Sequence, residues 1–191
     1  INLTNACLYG ADLSNSDLSR SVSYNTDLRE ADLSGVNLSE ANLRYANLSE
    51  VNLRYSDLTN SNFKSANLES VDLESSNLES SNLENANLKS ANLSNVDLRY
   101  ANLIDADLSG ADLSNADLRG ANLTGANLTG ANLTGIKTDL TTAGYYLACP
   151  EDGSFIGFKK CKNSTIVKLL IPEGAKRSSA TTRISYKPIQ F

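Results

Sequence analysis

Hydrophobic and polar positions recur with a period of five over most of the chain. From Leu3 to Leu133 every fifth residue is leucine, except at Ser23 and Phe63. The residue two places before each of these is small, most often Ala, Ser or Val, and the residue between them is Asn or Asp at 25 of 27 positions. The repeated unit is therefore a small residue, Asn or Asp, Leu, and two variable residues.

This period fits neither an α-helix nor a long strand, whose side-chain periods are 3.6 and 2. It fits three extended residues followed by a two-residue turn, which places the small residue and the leucine on one side and the Asn or Asp on the other. The fifth position is Gly in seven units and Asn in seven others, and both residues accept the positive φ of a type II turn. The pattern predicts a coil whose successive turns pair as parallel strands around stacked leucines.

Read from Ile1 to Gly135, the pattern resembles the A(D/N)LXX motif of the pentapeptide-repeat family. The resemblance implies an all-β fold, a right-handed quadrilateral parallel β-helix with four units per coil, and a bacterial or phage origin. The 27 units would then make about seven coils. Charge matching does not choose between four and three sides, because opposite charges pair equally well at a spacing of four units and at a spacing of three.

After Gly135 the pattern ends, and we divide the chain into a repeat domain, 1–135, and a small basic domain or cap, 136–191. The pattern of the second part predicts a β-hairpin, because turn signals separate the apolar runs SFIGFKKC and TIVKLLI. It resembles an uncharacterised domain found after pentapeptide repeats, through YYLACPEDGSFIGFKKC and VKLLIPEGAKRSSATTR. No activity follows from that resemblance. We expect this segment to cover the open end of the coil, where leucines and strand edges would be exposed.

The two parts differ in charge. Residues 1–135 contain 18 acids and 8 bases, whereas residues 136–191 contain 4 acids and 9 bases. In the basic part, cations beside hydroxyl groups suggest a candidate anion or phosphate loop, with a solvated basic loop as the alternative. Its residues are Lys176, Arg177, Ser178, Ser179 and Arg183.

The variable outward positions of the repeat are the candidate interaction surface. Its predicted members are Tyr45, Tyr55, Tyr100, Glu69, Glu74, Glu79 and Glu84. With four units per coil, the four glutamates form an acidic belt in which each faces a base one coil away. The expected partners, in order from Glu69, are Lys89, Arg54, Arg99 and Lys64. Surface ion pairing of little energetic value is the alternative interpretation.

One unit near the start departs from the pattern. Ser23 takes the inward position and Val22 the outward one, yet Leu28 restores the phase. Either a local bulge turns Val22 inward and leaves Tyr24 on the surface, or the coil tolerates an imperfect unit.

Composition argues against catalysis and metal binding. The chain has no His, the residue that most often exchanges protons near neutral pH. Its three cysteines, Cys7, Cys149 and Cys161, match no disulfide framework or zinc motif, which favours reduced thiols in a cytoplasmic protein. We therefore expect no enzyme activity, no cofactor and no metal. Because the apolar runs are only a few residues long, we also expect no membrane association.

Two functional hypotheses remain. The first is a rigid repeat scaffold that binds a protein partner through its outward faces, as a monomer or an end-to-end dimer. The second comes from the resemblance, because the family includes quinolone-resistance proteins that act on DNA gyrase and topoisomerase as mimics of DNA. The coil would be roughly 32 Å long, and duplex DNA of that length carries roughly 19 phosphate charges. Residues 1–135 carry a net charge of −10, about half as much. Direct DNA binding by the acidic repeat is not expected.

Overall fold

The computed structural model describes residues 1–139 and 141–144, together with the backbone of two strands, Phe155–Lys160 and Ile166–Ile171. The chain divides into two compact units, Ile1–Tyr145 and Tyr146–Phe191. Within the described residues, no helix has the length and apolar character needed to cross a bilayer.

The first unit is a coil built from short parallel β-bridges. Each bridge from Asn2–Val22 to Asp117–Lys137 joins an outward position to the equivalent position four repeat units later. Two backbone hydrogen bonds accompany a typical bridge, that of Asn82 with Asn102: the N–H of Leu83 donates to the C=O of Asn102 at 2.7 Å, and the N–H of Asn102 donates to the C=O of Ser81 at 2.9 Å. One turn of the coil therefore contains four units, which decides between the two spacings that charge matching left open.

This four-unit step arranges the outward side chains in columns. We call the columns of Asn and Asp positions faces 1 to 4, and the columns of turn residues between them corners A to D. Faces 1 to 4 begin at Asn2, Cys7, Asp12 and Asp17, and corners A to D begin at Thr4, Tyr9, Ser14 and Ser19.

The turns follow the predicted chemistry. Every fifth residue from Asn5 to Gly135 has φ between 53° and 75°, and 20 of these residues are not glycine. In a typical turn the N–H of Ala86 donates to the C=O of Leu83 at 3.0 Å. The outward Asn or Asp supports the same turn, because the side-chain Oδ1 of Asn82 accepts the N–H of Glu84 at 3.0 Å. The repeated Asn or Asp is thus a turn-stabilising residue.

The interior consists of the leucine and small-residue columns. The leucines from Leu33 to Leu123 are at most 1% exposed, and Phe63 occupies a leucine position with 1% exposure. Serine at a small-residue position needs a hydrogen-bond partner, and Ser76 Oγ donates to the C=O of Leu73 at 2.7 Å. Ser81 Oγ is buried without such a partner among the described residues.

The imperfect unit keeps the register of its neighbours. Ser21 and Ser23 both point inward, each 1% exposed, with their Oγ atoms 3.3 Å apart. Val22 stays outward, 40% exposed, and bridges Asn2 and Asn42. The structure therefore shows the second alternative, a tolerated imperfect unit, because two short serines fill the inward positions without shifting the backbone ladder.

The coil continues past Gly135. Lys137 bridges Asp117 at the regular four-unit step, whereas the step from Asn122 to its bridge partner Ala143 is one residue longer. One additional residue has therefore entered the chain between these two bridges. The division into domains 1–135 and 136–191 stays a prediction.

The second unit contains an antiparallel hairpin. Strand β1, Phe155–Lys160, pairs with strand β2, Ile166–Ile171. The register sets Phe155 opposite Ile171 and Lys160 opposite Ile166. The two strands lie within the runs predicted to form a hairpin. Cys149, Cys161 and the candidate anion loop, 176–183, lie outside the described residues.

Candidate interaction surface

The four glutamates of the predicted belt lie on one coil, one at each corner. Three of them pair with the expected base: Glu74 with Arg54 at 2.7 Å, Glu84 with Lys64 at 2.9 Å, and Glu79 with Arg99 at 2.7 Å. Glu69 instead accepts a long hydrogen bond from Asn87 Nδ2 at 3.5 Å. Most of the charge of the belt is therefore balanced within the protein, which favours the ion-pairing interpretation of these residues.

The three predicted tyrosines do not share a surface. Tyr45 lies at corner A, Tyr55 at corner C and Tyr100 at corner D, with exposures of 44%, 62% and 62%. Tyr100 lies over Gly120, where an added Cβ would meet its ring. The sequence identified exposed residues here, but the four-unit step distributes them around the coil.

Corner A holds a cluster that sequence reasoning did not assemble. The rings of Tyr24 and Tyr45 meet edge to face, with centroids 5.4 Å apart and planes at 67°. The guanidinium of Arg44 lies 5.5 Å from the Tyr45 ring centroid. Val22 is exposed two residues before Tyr24. We call these four residues, Val22, Tyr24, Arg44 and Tyr45, the aromatic corner. The sequence signal was the four-unit spacing between Tyr24 and Arg44, which is informative only once the coil size is known.

Arg44 differs electrostatically from most bases of the repeat. Six of the eight bases in residues 1–135 form ion pairs: Arg20, Arg29, Arg54, Lys64, Arg99 and Arg119. Within the described residues, Arg44 and Lys89 form none. The Nε of Arg44 is also buried and has no hydrogen-bond partner there. The aromatic corner therefore contains an unbalanced cation.

The acids are concentrated on the other side of the coil. Faces 3 and 4, with corner C between them, contain nine acids and one base, Arg54, within residues 1–135. We call this surface the acidic half. Its acids are Asp12, Asp32, Asp72, Asp112, Glu74, Asp17, Asp57, Asp97 and Asp117. It carries a net charge of −8, whereas face 1 has no charged residue from Asn2 to Asn122.

Carboxylates of this surface are held in the ionised form by local donors. Asp112 Oδ1 accepts the N–H of Ser114 at 2.9 Å and Nδ2 of Asn132 at 2.9 Å. Hydrogen bonds from Ser114 lower the pKa of Asp112 below its usual value, and the hydrogen-bonded guanidinium of Arg119 lowers the pKa of Asp117. Such carboxylates are poor proton donors near neutral pH.

The rows of aspartates do not converge on a metal site. Asp107, Asp112 and Asp117 lie on faces 2, 3 and 4, because neighbouring units occupy different sides of the coil. In the part of the chain that the structure describes, no group of three or more Cys, Asp or Glu residues could hold a metal ion.

Comparison with known families fits this geometry. The family described as pentapeptide repeats matches in eight copies, over residues 1–20, 24–60, 41–79, 66–103 and 101–137. The chain belongs to the pentapeptide-repeat family. A second match, over residues 145–185, is to a family of unknown function, DUF5758. The comparison with curated proteins gave no match.

Several solved pentapeptide-repeat proteins resemble the chain. Rfr23 from the cyanobacterium Cyanothece 51142 is 33% identical, covers 64% of this chain and 90% of its own, and has a TM-score of 0.41. HetL from Nostoc sp. strain PCC 7120, involved in heterocyst differentiation regulation, is 34% identical over 74% of this chain and 87% of its own, with a TM-score of 0.38. Trypsin-treated QnrB1, a plasmid-mediated fluoroquinolone resistance protein, is 20% identical over 73% and 83%, with a TM-score of 0.43.

Family membership changes how the outward residues are interpreted. Asn and Asp on the faces, and Leu inside, belong to the repeat pattern of the family and carry little information about this particular chain. The corner residues vary between units, so the aromatic corner and the charge distribution are the features that distinguish this chain from the bare repeat pattern.

Proposed function

We propose that the chain is a non-enzymatic rigid scaffold that mediates protein–protein interaction through its outward faces. In this proposal the repeat forms a right-handed quadrilateral coil of about seven turns. The observation that carries the proposal is the separation of constant and variable residues. Inward leucines are almost fully buried, while Tyr24, Tyr45, Tyr55 and Tyr100 are between 39% and 62% exposed.

The backbone supports this role physically. A ladder of hydrogen bonds links each coil to the next, and most turns are also fixed by hydrogen bonds of their own. Side chains at the corners are therefore presented from a backbone that has already lost its conformational freedom. Binding then costs less ordering entropy than it would for a flexible loop.

The proposal can be tested by finding a partner and then changing the corners. The immobilised chain would capture proteins from a bacterial lysate, and a captured protein would be purified and titrated by calorimetry. A substitution such as Tyr24→Ser or Tyr55→Ser at the binding corner should weaken binding about tenfold, a loss typical of an interface hot spot. The melting temperature should not change. Binding that survives every corner substitution would contradict the proposal.

The setting of the scaffold is part of the same proposal. We propose a cytoplasmic protein without a bound cofactor, acting as a monomer or an end-to-end dimer. Cys7, the free cysteine in the described residues, is exposed, which suits a reducing compartment where thiols persist. Fractionation of the native host with an antibody against the chain would test the location.

A second candidate is an acidic DNA mimic that regulates DNA gyrase or topoisomerase. The acidic half favours it, because its charge suits a basic groove that normally holds duplex DNA. That charge is −8 by sequence, and −6 once Asp97 and Asp117 are paired with Arg99 and Arg119 of corner D. The test is a gyrase supercoiling assay with the full chain at two salt concentrations. Mimicry predicts inhibition that salt relieves, since the attraction is between charges. An absence of inhibition at high protein concentration would exclude it.

A matched set of variants would show whether the acidic half is responsible. Changing Asp12 and Asp112 of face 3 to Asn removes two charges, as many as the control removes, and Asn already occupies face 3 at Asn52. Changing Asp27 and Asp107 of face 2 to Asn is the control. Mimicry predicts that the face 3 variant loses inhibition and the control retains it.

A further inference from the structure

We propose that the aromatic corner docks a segment of a partner protein that places a carboxylate beside an aromatic or aliphatic side chain. The inference rests on the proposed scaffold function and specifies its surface and the chemistry of its partner. It follows from three observations. The corner is exposed, Arg44 has no ion pair within the described residues, and a second Arg-Tyr corner occurs in the same chain.

The corner exposes apolar surface next to an uncharged face. Val22, Tyr24 and Tyr45 are 40%, 39% and 44% exposed. Val22 belongs to face 1, the face without a charged residue. A partner's apolar side chain would therefore be buried here without stripping water from a charge of the face. Tyrosine and arginine are also among the residues most enriched at the energetic centres of protein interfaces.

At the second Arg-Tyr corner, an arginine that lies over a tyrosine ring binds carboxylates of the same chain. At corner C, Arg54 lies 5.2 Å from the ring centroid of Tyr55 and pairs with Glu74, one coil further along the chain, at 2.7 Å. Asp72 lies 3.4 Å from the same guanidinium. At this corner the chain supplies the carboxylates itself, so the cation is balanced.

At corner A the same arrangement has no internal carboxylate. Arg44 lies 5.5 Å from the Tyr45 ring, but the equivalent residue one coil later is Lys64, which pairs with Glu84. The buried Nε of Arg44 lacks a hydrogen-bond partner in the described residues. A guanidinium partly removed from water interacts strongly with a carboxylate, because the screening is weaker. A partner must therefore provide the acid that Glu74 provides to Arg54.

Charge restricts where an acidic segment binds. The repeat has a net charge of −10, so an acidic peptide is repelled from most of the coil. Lys89 is the other base of residues 1–135 without an ion pair in the described residues, and, like Lys137, which also lacks one there, it does not lie over an aromatic ring. It can attract an acid but offers no apolar contact. A base without an ion pair and exposed apolar surface occur together at the aromatic corner.

The test uses two capped peptides and the full chain with isotope-labelled tyrosine rings. The first peptide is Gly-Asp-Phe-Glu-Leu-Gly, and the second replaces its acids with Asn and Gln. We expect the acidic peptide to shift the ring signals of Tyr24 and Tyr45 saturably, with a Kd near 1 mM, about −4 kcal/mol. Arg44→Gln should weaken binding about fivefold or more, and Lys89→Gln should leave it unchanged. Circular dichroism confirms that both variants are folded.

Four outcomes would overturn the inference. They are equal binding of the amide peptide, equal weakening by Lys89→Gln, ring shifts that depend on protein concentration without peptide, and tighter binding of an eight-nucleotide oligothymidine. The third would indicate a second copy of the chain as the occupant, and the fourth a single-stranded nucleic acid. If the lysate partner of the scaffold test still binds the Arg44→Gln variant, this inference fails while the scaffold proposal stands.

Discussion

The inward and outward positions of the same units show opposite kinds of constraint. Leu83 is fully buried and repeats without change in nearly every unit, whereas its neighbour Glu84 stands at a corner where Tyr24, Arg44, Lys64 and Ile104 occupy the equivalent places. The fold depends on the first kind of position and tolerates almost any residue at the second. A repeat protein can therefore keep one architecture and change its surface freely.

The largest expected effect comes from an inward truncation. Leu83→Ala removes a fully buried side chain from the middle of the coil and should lower the free energy of unfolding by about 2–5 kcal/mol. Urea denaturation followed by circular dichroism measures it. Glu84→Gln, one residue away, loses only a partly exposed ion pair with Lys64 and should cost about 1 kcal/mol or less. Equal costs would contradict the contrast between the two kinds of position.

Glycines of the turns give the next effect. Gly120→Ala and Gly130→Ala both place an alanine at positive φ, which costs roughly 1–2 kcal/mol. Only at Gly120 does the added Cβ also meet the Tyr100 ring; at Gly130 the nearest atom, the N of Gly110, is 4.0 Å away. Gly120→Ala should therefore be the more destabilising change, as measured by thermal denaturation. A Tyr100→Ala background should remove the difference, and a difference that persists there would show that the contact is unimportant.

Replacing two buried serines with alanine should have different effects on stability. Ser76→Ala removes a hydrogen bond to the C=O of Leu73 and should cost about 1 kcal/mol. Ser81→Ala removes a buried hydroxyl that has no partner in the described residues, so it should be neutral or stabilising by up to about 1 kcal/mol. Parallel urea titrations measure both. A clear loss of stability in the Ser81 variant would show that its hydroxyl has a partner after all.

The smallest expected effect is a loss of stability at low pH. Hydrogen bonds lower the pKa of Asp107, Asp112 and Asp117 in the folded chain. Their stabilising contribution is present above the unfolded value of about 3.9 and is lost as pH falls through the lower folded pKa values. The melting temperature should therefore fall as the pH drops below about 4.

Asp112→Asn sharpens this prediction. Asparagine keeps an Oδ1 acceptor for the N–H of Ser114, as Asn82 does for Glu84, so the stability at pH 7 should change by about 0.5 kcal/mol or less. The fall in melting temperature at low pH should be shallower than in the unchanged chain. An unchanged acid profile would show that this carboxylate does not contribute.

Much of the coil could be predicted from the sequence, because its period and residue types have direct local meanings. The inward leucines, the positive φ at every fifth residue and the hairpin strands followed from hydrophobic spacing and turn chemistry. The number of sides did not, since charge pairs three units apart and four units apart were equally frequent. That choice depends on how neighbouring turns of backbone pack together, which no single unit records.

The candidate surface was predicted only in part. Tyr45 was recognised as exposed, but it was grouped with Tyr55 and Tyr100, which lie at other corners. Tyr24, whose ring meets that of Tyr45, was not grouped with it, because their proximity requires the four-unit step. Of the two alternatives at Val22, the bulge does not form, since two serines occupy the inward positions without breaking the ladder.

The four-unit step is the claim on which the aromatic corner and the acidic half both depend, and paired cysteines test it directly. In a background with Cys7, Cys149 and Cys161 changed to Ser, one variant carries Ser75→Cys with Asn95→Cys, and the other carries Ser75→Cys with Ser90→Cys. Residues one coil apart have Cα atoms about 4.8 Å apart, within the range of a disulfide. We predict that mild oxidation consumes both thiols of the first variant within one chain and leaves those of the second free. Preferential closure of the 75–90 pair would indicate a coil of three units, which would separate Tyr24 from Arg44 and contradict the account.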